Sequence, residues 1–241
     1  MNLSKLYART KKAVEQYNMI QKGDKIAVGI SGGKDSLTLL YALYGLSKFK
    51  DSDFTIYPVM VDMGFEGFDP SPIDAFCKDL GLQFTHIKTE LGKVIFEERK
   101  EKNPCSMCSK MRKGILNKTI AQLGCNKLAY GHHRDDFLDT FLLSLLYEGR
   151  FHTMEPKYYM PNADLTLIRP LLYVPEEDIL KFSKDMNLPI VKNPCPADKN
   201  SARKEMGELF EQLKKPFPDC KEKLFRALKG VDFFNDFNDL I

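Results

Sequence analysis

The chain has 241 residues, 43% of them hydrophobic, with 36 Lys and Arg against 33 Asp and Glu. This is enough chain for one large domain, and the composition excludes a disordered or collagen-like protein. A net charge of +3 is too small to imply nucleic-acid binding by itself. No run approaches the roughly 20 apolar residues of a membrane span, and the first ten residues lack a signal-peptide core, so the chain is expected to stay in the cytoplasm, off any membrane.

Hydrophobic periodicity predicts a helix over 3–19, a strand over 25–30, a helix over 35–47, a strand over 54–61, a helix over 71–80 and a strand over 83–88. An uneven charged segment with Glu97, Glu98, Arg99, Lys100, Glu101 and Lys102 interrupts the pattern. It resumes with a helix over 108–123, a strand over 126–130 and a helix over 134–147. Pro156, Pro161 and Asn162 read as a loop, Leu165 to Arg169 as a short strand or extended segment, and Pro175 opens a helix to Met186. From Asn193 onward a cysteine-containing loop leads into helical stretches ending in Phe233, Phe234 and Phe237, which are expected to dock on the body rather than stay exposed. The organisation expected is an N-terminal helix over 1–20, a main domain over 21–192 with an inserted Cys-x-x-Cys segment, and a C-terminal part over 193–241.

Repeated strand-helix units with near-continuous apolar strands and short connections predict an α/β fold, a parallel sheet covered by helices on both faces. Ligands of such sheets sit at the carboxyl ends of the strands. The corners Gly29 to Ser36, Val61-Asp62-Met63-Gly64 and Gly131-His132-His133 should therefore border one crevice.

The first corner is the most informative. After the apolar run Ile26 to Ile30, the sequence Ser31-Gly32-Gly33-Lys34-Asp35-Ser36 leads into a helix with Leu37, Leu39, Leu40 and Leu43. Adjacent glycines let backbone N–H groups converge on an anion, the helix dipole favours negative charge, and Lys34, Ser31 and Ser36 add side-chain donors. A Walker A loop is not expected, because Val28 stands where its first glycine belongs and Asp35 where its Ser or Thr belongs. The hexapeptide resembles the PP-loop of the N-type ATP pyrophosphatases, which cleave ATP between the α and β phosphates. That resemblance implies a Rossmann-like fold with ATP as a ligand.

Six cysteines stand at 77, 105, 108, 125, 195 and 220. Disulfides are not expected in a cytoplasmic chain, and the Cys105-x-x-Cys108 pair has no thioredoxin-like order of elements around it, which leaves metal binding. Cys77 and Cys220 fall in helical patterns with apolar neighbours and read as buried bystanders. Structural zinc, held by three cysteines and a histidine such as His133, is one option.

Pro104-Cys105-Ser106-Met107-Cys108 through Gly114, Gly131-His132-His133-Arg134-Asp135-Asp136 and Ile168-Arg169-Pro170-Leu171 together resemble the tRNA 2-thiocytidine synthetase family, over about residues 20–196. The resemblance implies a [4Fe-4S] cluster on Cys105, Cys108 and Cys195, with one iron free of protein ligands to accept sulfide. Where many members carry a further cysteine after this point, the chain reads Pro196-Ala197-Asp198-Lys199. It also implies the activity: adenylation of the C2 oxygen of a pyrimidine, cytidine 32 of the anticodon loop, followed by replacement with sulfur. The partners implied are tRNA, ATP and a sulfide donor, either free sulfide or a cysteine desulfurase; a homodimer is a separate expectation that no residue pattern carries.

On this reading Lys34, Asp35, Cys105, Cys108 and Cys195 are the catalytic set. Ser31, Gly32, Gly33, Lys34, Asp35, Ser36, Val61, Asp62, Met63, Gly131, His132 and Asp136 surround the nucleotide. Asp35 is the first Mg2+ candidate because the ATP-bound ion needs hard oxygen ligands, and Asp136 is the second on family grounds; Asp135 and Asp139 share one helical face, but acids at a helix start also serve the macrodipole. Asp62 would meet adenine or ribose, although an Asp-x-Gly corner is also an ordinary turn. Candidates for an RNA footprint are Lys5, Arg9, Lys11 and Lys12, then Lys110, Arg112 and Lys113, then Arg203, Lys204, Lys214 and Lys215. Arg169 would either contact phosphate or pin the C-terminal helix. The alternatives are a sulfurtransferase acting on tRNA uridine and a zinc-containing ATP pyrophosphatase or ligase acting on a small molecule.

Overall fold

A computed structural model describes residues 2–50, 52–99, 104–191, 194–195 and 202–230. The elements run α1 (Leu3–Gln16), β1 (Asp24–Gly29), α2 (Lys34–Ser47), β2 (Phe54–Asp62), α3 (Ser71–Asp79), β3 (Thr85–Lys88) and α4 (Leu91–Lys93, continued by a π turn Val94–Glu98). They continue through α5 (Pro104–Gln122), β4 (Lys127–Ala129), α6 (Arg134–Leu143, continued by a π turn Ser144–Glu148), β5 (Lys157–Met160) and β6 (Leu165–Ile168). Helices α7 (Glu176–Asp185), α8 (Ala202–Lys214) and α9 (Cys220–Gly230) complete it.

The six strands form one sheet in the order β3-β2-β1-β4-β6-β5, parallel throughout except for β5, which runs antiparallel to β6. Successive residues of a strand face opposite sides. Ile26, Val28, Ile56, Met60, Ala129 and Ile168 pack with residues of α1, α2, α3 and α7, while Ala27, Val59, Val61 and Leu128 pack with Leu116 and Ile120 of α5. A third cluster joins Leu138, Phe141 and Leu142 of α6 to Met206 and Phe210 of α8 and Leu228 of α9. The expected α/β architecture with helices on both faces and helical additions at its ends is what forms. Among the described residues no helix is long and apolar enough to cross a membrane.

Three elements differ from the sequence expectation. Residues 157–160 form an edge strand rather than a loop, because Pro156 and Pro161 bracket the ladder without interrupting it. The charged interruption begins in a helix, Leu91 to Glu98, which buries Leu91 and Ile95. Helix α5 starts at Pro104 rather than at 108, proline at the first helical turn being tolerated, so Cys105 and Cys108 lie inside it and not in a loop ahead of it. The segment Lys100 to Lys102, Asn193, Pro196 to Lys199, the side chains of Arg203 and Lys204, and the aromatic tail with Phe233, Phe234 and Phe237 lie outside the described residues.

Strand order reverses between β1 and β4, whose carboxyl ends lead into Ser31–Gly33 and Gly131–His133. This is the switch point at which open α/β sheets leave a crevice.

Candidate active site

The loop between β1 and α2 is held by its own hydroxyls. Ser36 Oγ accepts from the Ser31 N–H at 3.2 Å and the Ser31 hydroxyl at 3.1 Å, and donates to the Gly33 carbonyl at 3.0 Å; Ser31 Oγ accepts from the Gly33 N–H at 3.3 Å. Gly32 has φ +85°, a left-handed backbone that glycine adopts without strain. Two further glycines permit close approach. A Cβ on Gly29 would lie 2.8 Å from the Tyr130 ring, and one on Gly131 would lie 2.8 Å from the backbone carbonyl of Asp35.

Lys34 Nζ sits 3.0 Å from Asp35 Oδ1 and 3.0 Å from Glu176 Oε1, at the start of α7. Burial alone would lower the pKa of Lys34, but the two carboxylates outweigh it and raise it. His133 is buried, its Nε2 3.5 Å from Asp35 Oδ1 and its Nδ1 3.4 Å from Asp136 Oδ2. Asp35 Oδ1 is buried between the Lys34 ammonium and His133 Nε2, the two groups of opposite or titratable charge that face it.

The other expected nucleotide neighbours are variously engaged. Asp136 caps α6 by accepting the His133 N–H at 2.9 Å. Asp135 accepts the Glu176 N–H at 2.8 Å and Lys221 Nζ at 2.7 Å. His132 Nδ1 accepts from Arg169 Nε at 3.1 Å, and Arg169 also donates to the Glu155 carbonyl, so Arg169 pins the approach to β5. Asp62 accepts the Gly64 N–H at 2.8 Å and pairs with His86 Nε2 at 3.0 Å, which makes its corner a braced turn.

Val61, Asp62 and Met63 nevertheless line a cleft together with Ser31, Arg112 and Pro194. Arg112 comes from α5, one turn past Cys108, and Pro194 precedes Cys195. The phosphate loop and both cysteine segments therefore open on one space. Val191 ties them further, donating its N–H to the Gly32 carbonyl at 3.0 Å. All six cysteines are unbridged. Cys105 and Cys108, three residues apart on α5, share a helix face. Burial pushes the Cys108 thiol up, Arg112 opposes this, and the neighbouring Cys195 and Cys105 raise it further. The three cysteines are thus within electrostatic reach of one another, while among the described residues no three His, Cys, Asp or Glu side chains stand close enough to hold one metal ion. Three soft thiolate donors suit an iron–sulfur cluster, and with a histidine they would also suit zinc.

A PP-loop domain model matches residues 3–212. The tRNA-cytidine(32) 2-sulfurtransferase of Geotalea uraniireducens is 38% identical over 226 residues, which cover 92% of this chain and 90% of that protein. That of Bordetella pertussis is 40% identical over 236 residues, covering 95% and 72%. The chain belongs to the tRNA-cytidine(32) 2-sulfurtransferase family of PP-loop proteins. Among solved structures, the U34-tRNA thiolase NcsA of Methanococcus maripaludis, determined with its [4Fe-4S] cluster, superposes with a TM-score of 0.73 at 26% identity over 95% of this chain and 78% of its own. The NH3-dependent NAD synthetase of Campylobacter jejuni shares the fold, with a TM-score of 0.52 at 15% identity over 98% and 96%.

Within this family member, two residues stand out that sequence reasoning passed over or placed elsewhere, while a third, Arg112, is already among the basic candidates. Glu176 reaches Lys34 from far along the chain, and only its position after Pro175 at a helix start hinted at a fixed place. His133, rather than His132, contacts Asp35. Arg112 lines the cleft, whereas the basic residues of α1 are largely occupied: Lys5 and Arg9 pair with Asp178, and Lys11 with Glu15 at 3.6 Å.

Proposed function

We propose that this protein adenylates the C2 oxygen of cytidine 32 in tRNA with ATP and then replaces that oxygen with sulfur. The observation that carries this reading is the shared cleft, in which Ser31 of the phosphate loop faces Arg112 and Pro194 of the two cysteine segments. The pyrimidine C2 carbonyl is a poor electrophile. Its oxygen attacks the α phosphorus, a C–O–P link forms and pyrophosphate leaves; sulfide then adds at C2, and AMP departs with the oxygen.

The chain's own residues serve the first step. The Gly33 N–H and the Ser31 hydroxyl, which exchange their contacts within the loop for the incoming anion, would bind the phosphates, and Lys34, released from Glu176, would neutralise the charge that builds on them. Once the phosphates draw the Lys34 ammonium away, the Asp35 carboxylate is the hard oxygen donor that would meet the Mg2+ accompanying the nucleotide. Gly29 and Gly131 keep both strand ends clear of side chains, which brings the loop and the β4 corner into contact. Cys105, Cys108 and Cys195 are the residues that would hold a [4Fe-4S] cluster, which supplies when bound an iron without a protein ligand at which sulfide can be held. Arg112 meets the RNA at the mouth. A base in an anticodon loop is already unpaired, so its entry costs little more than lost stacking.

Mass spectrometry of tRNA nucleosides from a strain lacking the gene tests this reading. Loss of 2-thiocytidine, restored by the wild-type gene but not by Lys34→Met or Cys108→Ser variants, is the expected result. Intact 2-thiocytidine with loss of 2-thiouridine would transfer the reading to uridine, the substrate named for the Methanococcus maripaludis thiolase.

A further inference from the structure

Helix α9 lies beyond residues 3–212 covered by the PP-loop domain model, and nothing in the reaction above uses it. It is nonetheless joined to the phosphate loop by three consecutive contacts. Lys221 Nζ donates to Asp135 Oδ1 at 2.7 Å, Asp135 Oδ2 accepts the backbone N–H of Glu176 at 2.8 Å, and Glu176 Oε1 stands 3.0 Å from Lys34 Nζ. Arg134 adds a parallel tie, its Nη1 donating to Glu222 at 2.8 Å and its Nε lying 3.7 Å from Asp135.

The burial of these groups sets their roles. Asp135 is 4% exposed, so its charge depends on the partners it has, and losing one leaves a buried carboxylate poorly compensated. The Lys221 side chain is also largely covered, with its ammonium 4.9 Å from the centre of the Phe210 ring. The Glu176 side chain, by contrast, is 43% exposed. An exposed carboxylate holds a lysine weakly unless its backbone is fixed, because side-chain entropy and water oppose the pair. Here the backbone is fixed, through the Asp135 carboxylate that Lys221 secures.

We propose that Lys221 is a positioning residue for Lys34: by holding Asp135 it anchors the first turn of α7 and keeps Glu176 on the loop lysine until a triphosphate displaces it. Glu176 and the phosphates compete for one ammonium, so the C-terminal helix sets how readily the loop accepts its anion. The anion half of this inference rests on the proposed function. The Lys34 half does not, because it stands on the contacts alone.

The test uses the full chain. Limiting acetic anhydride, read by peptide mass spectrometry with the other lysines as internal standards, reports how far Lys34 is shielded by its ion pairs with Glu176 and Asp35. Calorimetry with a non-hydrolysable ATP analogue reports its competition with phosphate. Glu176→Gln should raise Lys34 labelling several-fold and tighten analogue binding several-fold. Lys221→Met should move both in the same direction, and should add nothing further in the Glu176→Gln background, since residues in one network are non-additive. Lys221→Arg should keep the wild-type values, which separates charge from mere packing on Phe210; Lys221→Gln replaces the methionine variant if that one does not fold. Wild-type Lys34 labelling in the neutral variant, or an effect that adds in full to that of Glu176→Gln, overturns the proposal. If labelling responds as expected but analogue binding ignores even Lys34→Met, the positioning role stands and the phosphate role of Lys34 falls.

Discussion

Val191 donates its backbone N–H to the carbonyl of Gly32 at 3.0 Å, so the segment leading to Cys195 is fastened to the phosphate loop itself. One hydrogen bond of this kind contributes about 0.5–1.5 kcal/mol. Its importance lies in where it acts, because on the proposed reading the two segments it joins serve the nucleotide and the cluster. Val191→Pro removes the donor. The expected outcome is a several-fold loss in ATP affinity together with reduced iron retention after anaerobic reconstitution, each measured on the same preparation. A variant that binds both at wild-type levels would show that the two sites are positioned independently.

The β4 corner approaches α2 too closely for any side chain. A Cβ at Gly131 would fall 2.8 Å from the Asp35 carbonyl carbon and oxygen and 3.0 Å from the Ser36 nitrogen, all backbone atoms that cannot rotate away. Gly131→Ala should destabilise the protein by about 1–3 kcal/mol through overpacking and weaken ATP binding by displacing the first turn of α2. Gly114 is the control, since it lies within α5 with nothing within 4 Å of its Cβ position. Gly114→Ala should instead stabilise by about 0.5–1 kcal/mol through helix propensity. Thermal unfolding of the two variants reads both signs.

The cysteines should divide by reactivity. Burial pushes the Cys77 thiol up to about 12 and the Cys125 thiol up to about 11, whereas Cys105 is exposed on the first turn of α5. Thiolate is the reactive form, so in metal-free protein at pH 8 alkylation should reach Cys105 first and leave Cys77 and Cys125 untouched until unfolding. Serine at 105, 108 or 195 should each abolish most of the bound iron. Iron and sulfide analysis beside peptide mapping of alkylated thiols checks both halves. Rapid labelling of Cys125 in the native protein would contradict the buried environment assigned to it.

The legible parts of this molecule are those whose signals are local. The apolar run Ile26 to Ile30, the glycine turn and the leucines of α2 predict strand, loop and helix within a residue or two, because each depends on neighbours in sequence. The parallel sheet follows from repetition of that unit. Strand β5 was hidden because two prolines at its ends look the same as two prolines in a loop until an edge position is known. The Lys34 to Glu176 contact and the bracing of Asp62 by His86 join residues distant in sequence, and no periodicity records such pairings. The choice of His133 over His132 at the loop turns on which neighbour the strand end aims inward, a single-residue question that sequence spacing leaves open.

The opposite end of the sheet carries a pH sensitivity independent of the site. Asp24, at the start of β1, pairs with Lys127, at the start of β4, at 2.8 Å; both side chains are almost fully covered, and Lys127 Nζ also donates to the Met19 carbonyl at 2.8 Å. Burial by itself would raise the carboxyl pKa of Asp24, but hydrogen bonds from Lys127, Gln21 and Asn126 outweigh it and hold it below the ordinary carboxylate value. A depressed folded-state pKa means that this pair contributes its full stability above the ordinary carboxylate value and loses it as pH falls through the lower folded value. The melting temperature of the wild type should therefore drop on acidification below about pH 4. Asp24→Asn leaves a buried ammonium without its partner, which costs about 3–5 kcal/mol at neutral pH. Its melting curve should accordingly be lower at pH 7 and flatter toward acid than that of the wild type. Parallel acid limbs for the two proteins would show that the pair holds the strand starts together without governing their response to pH.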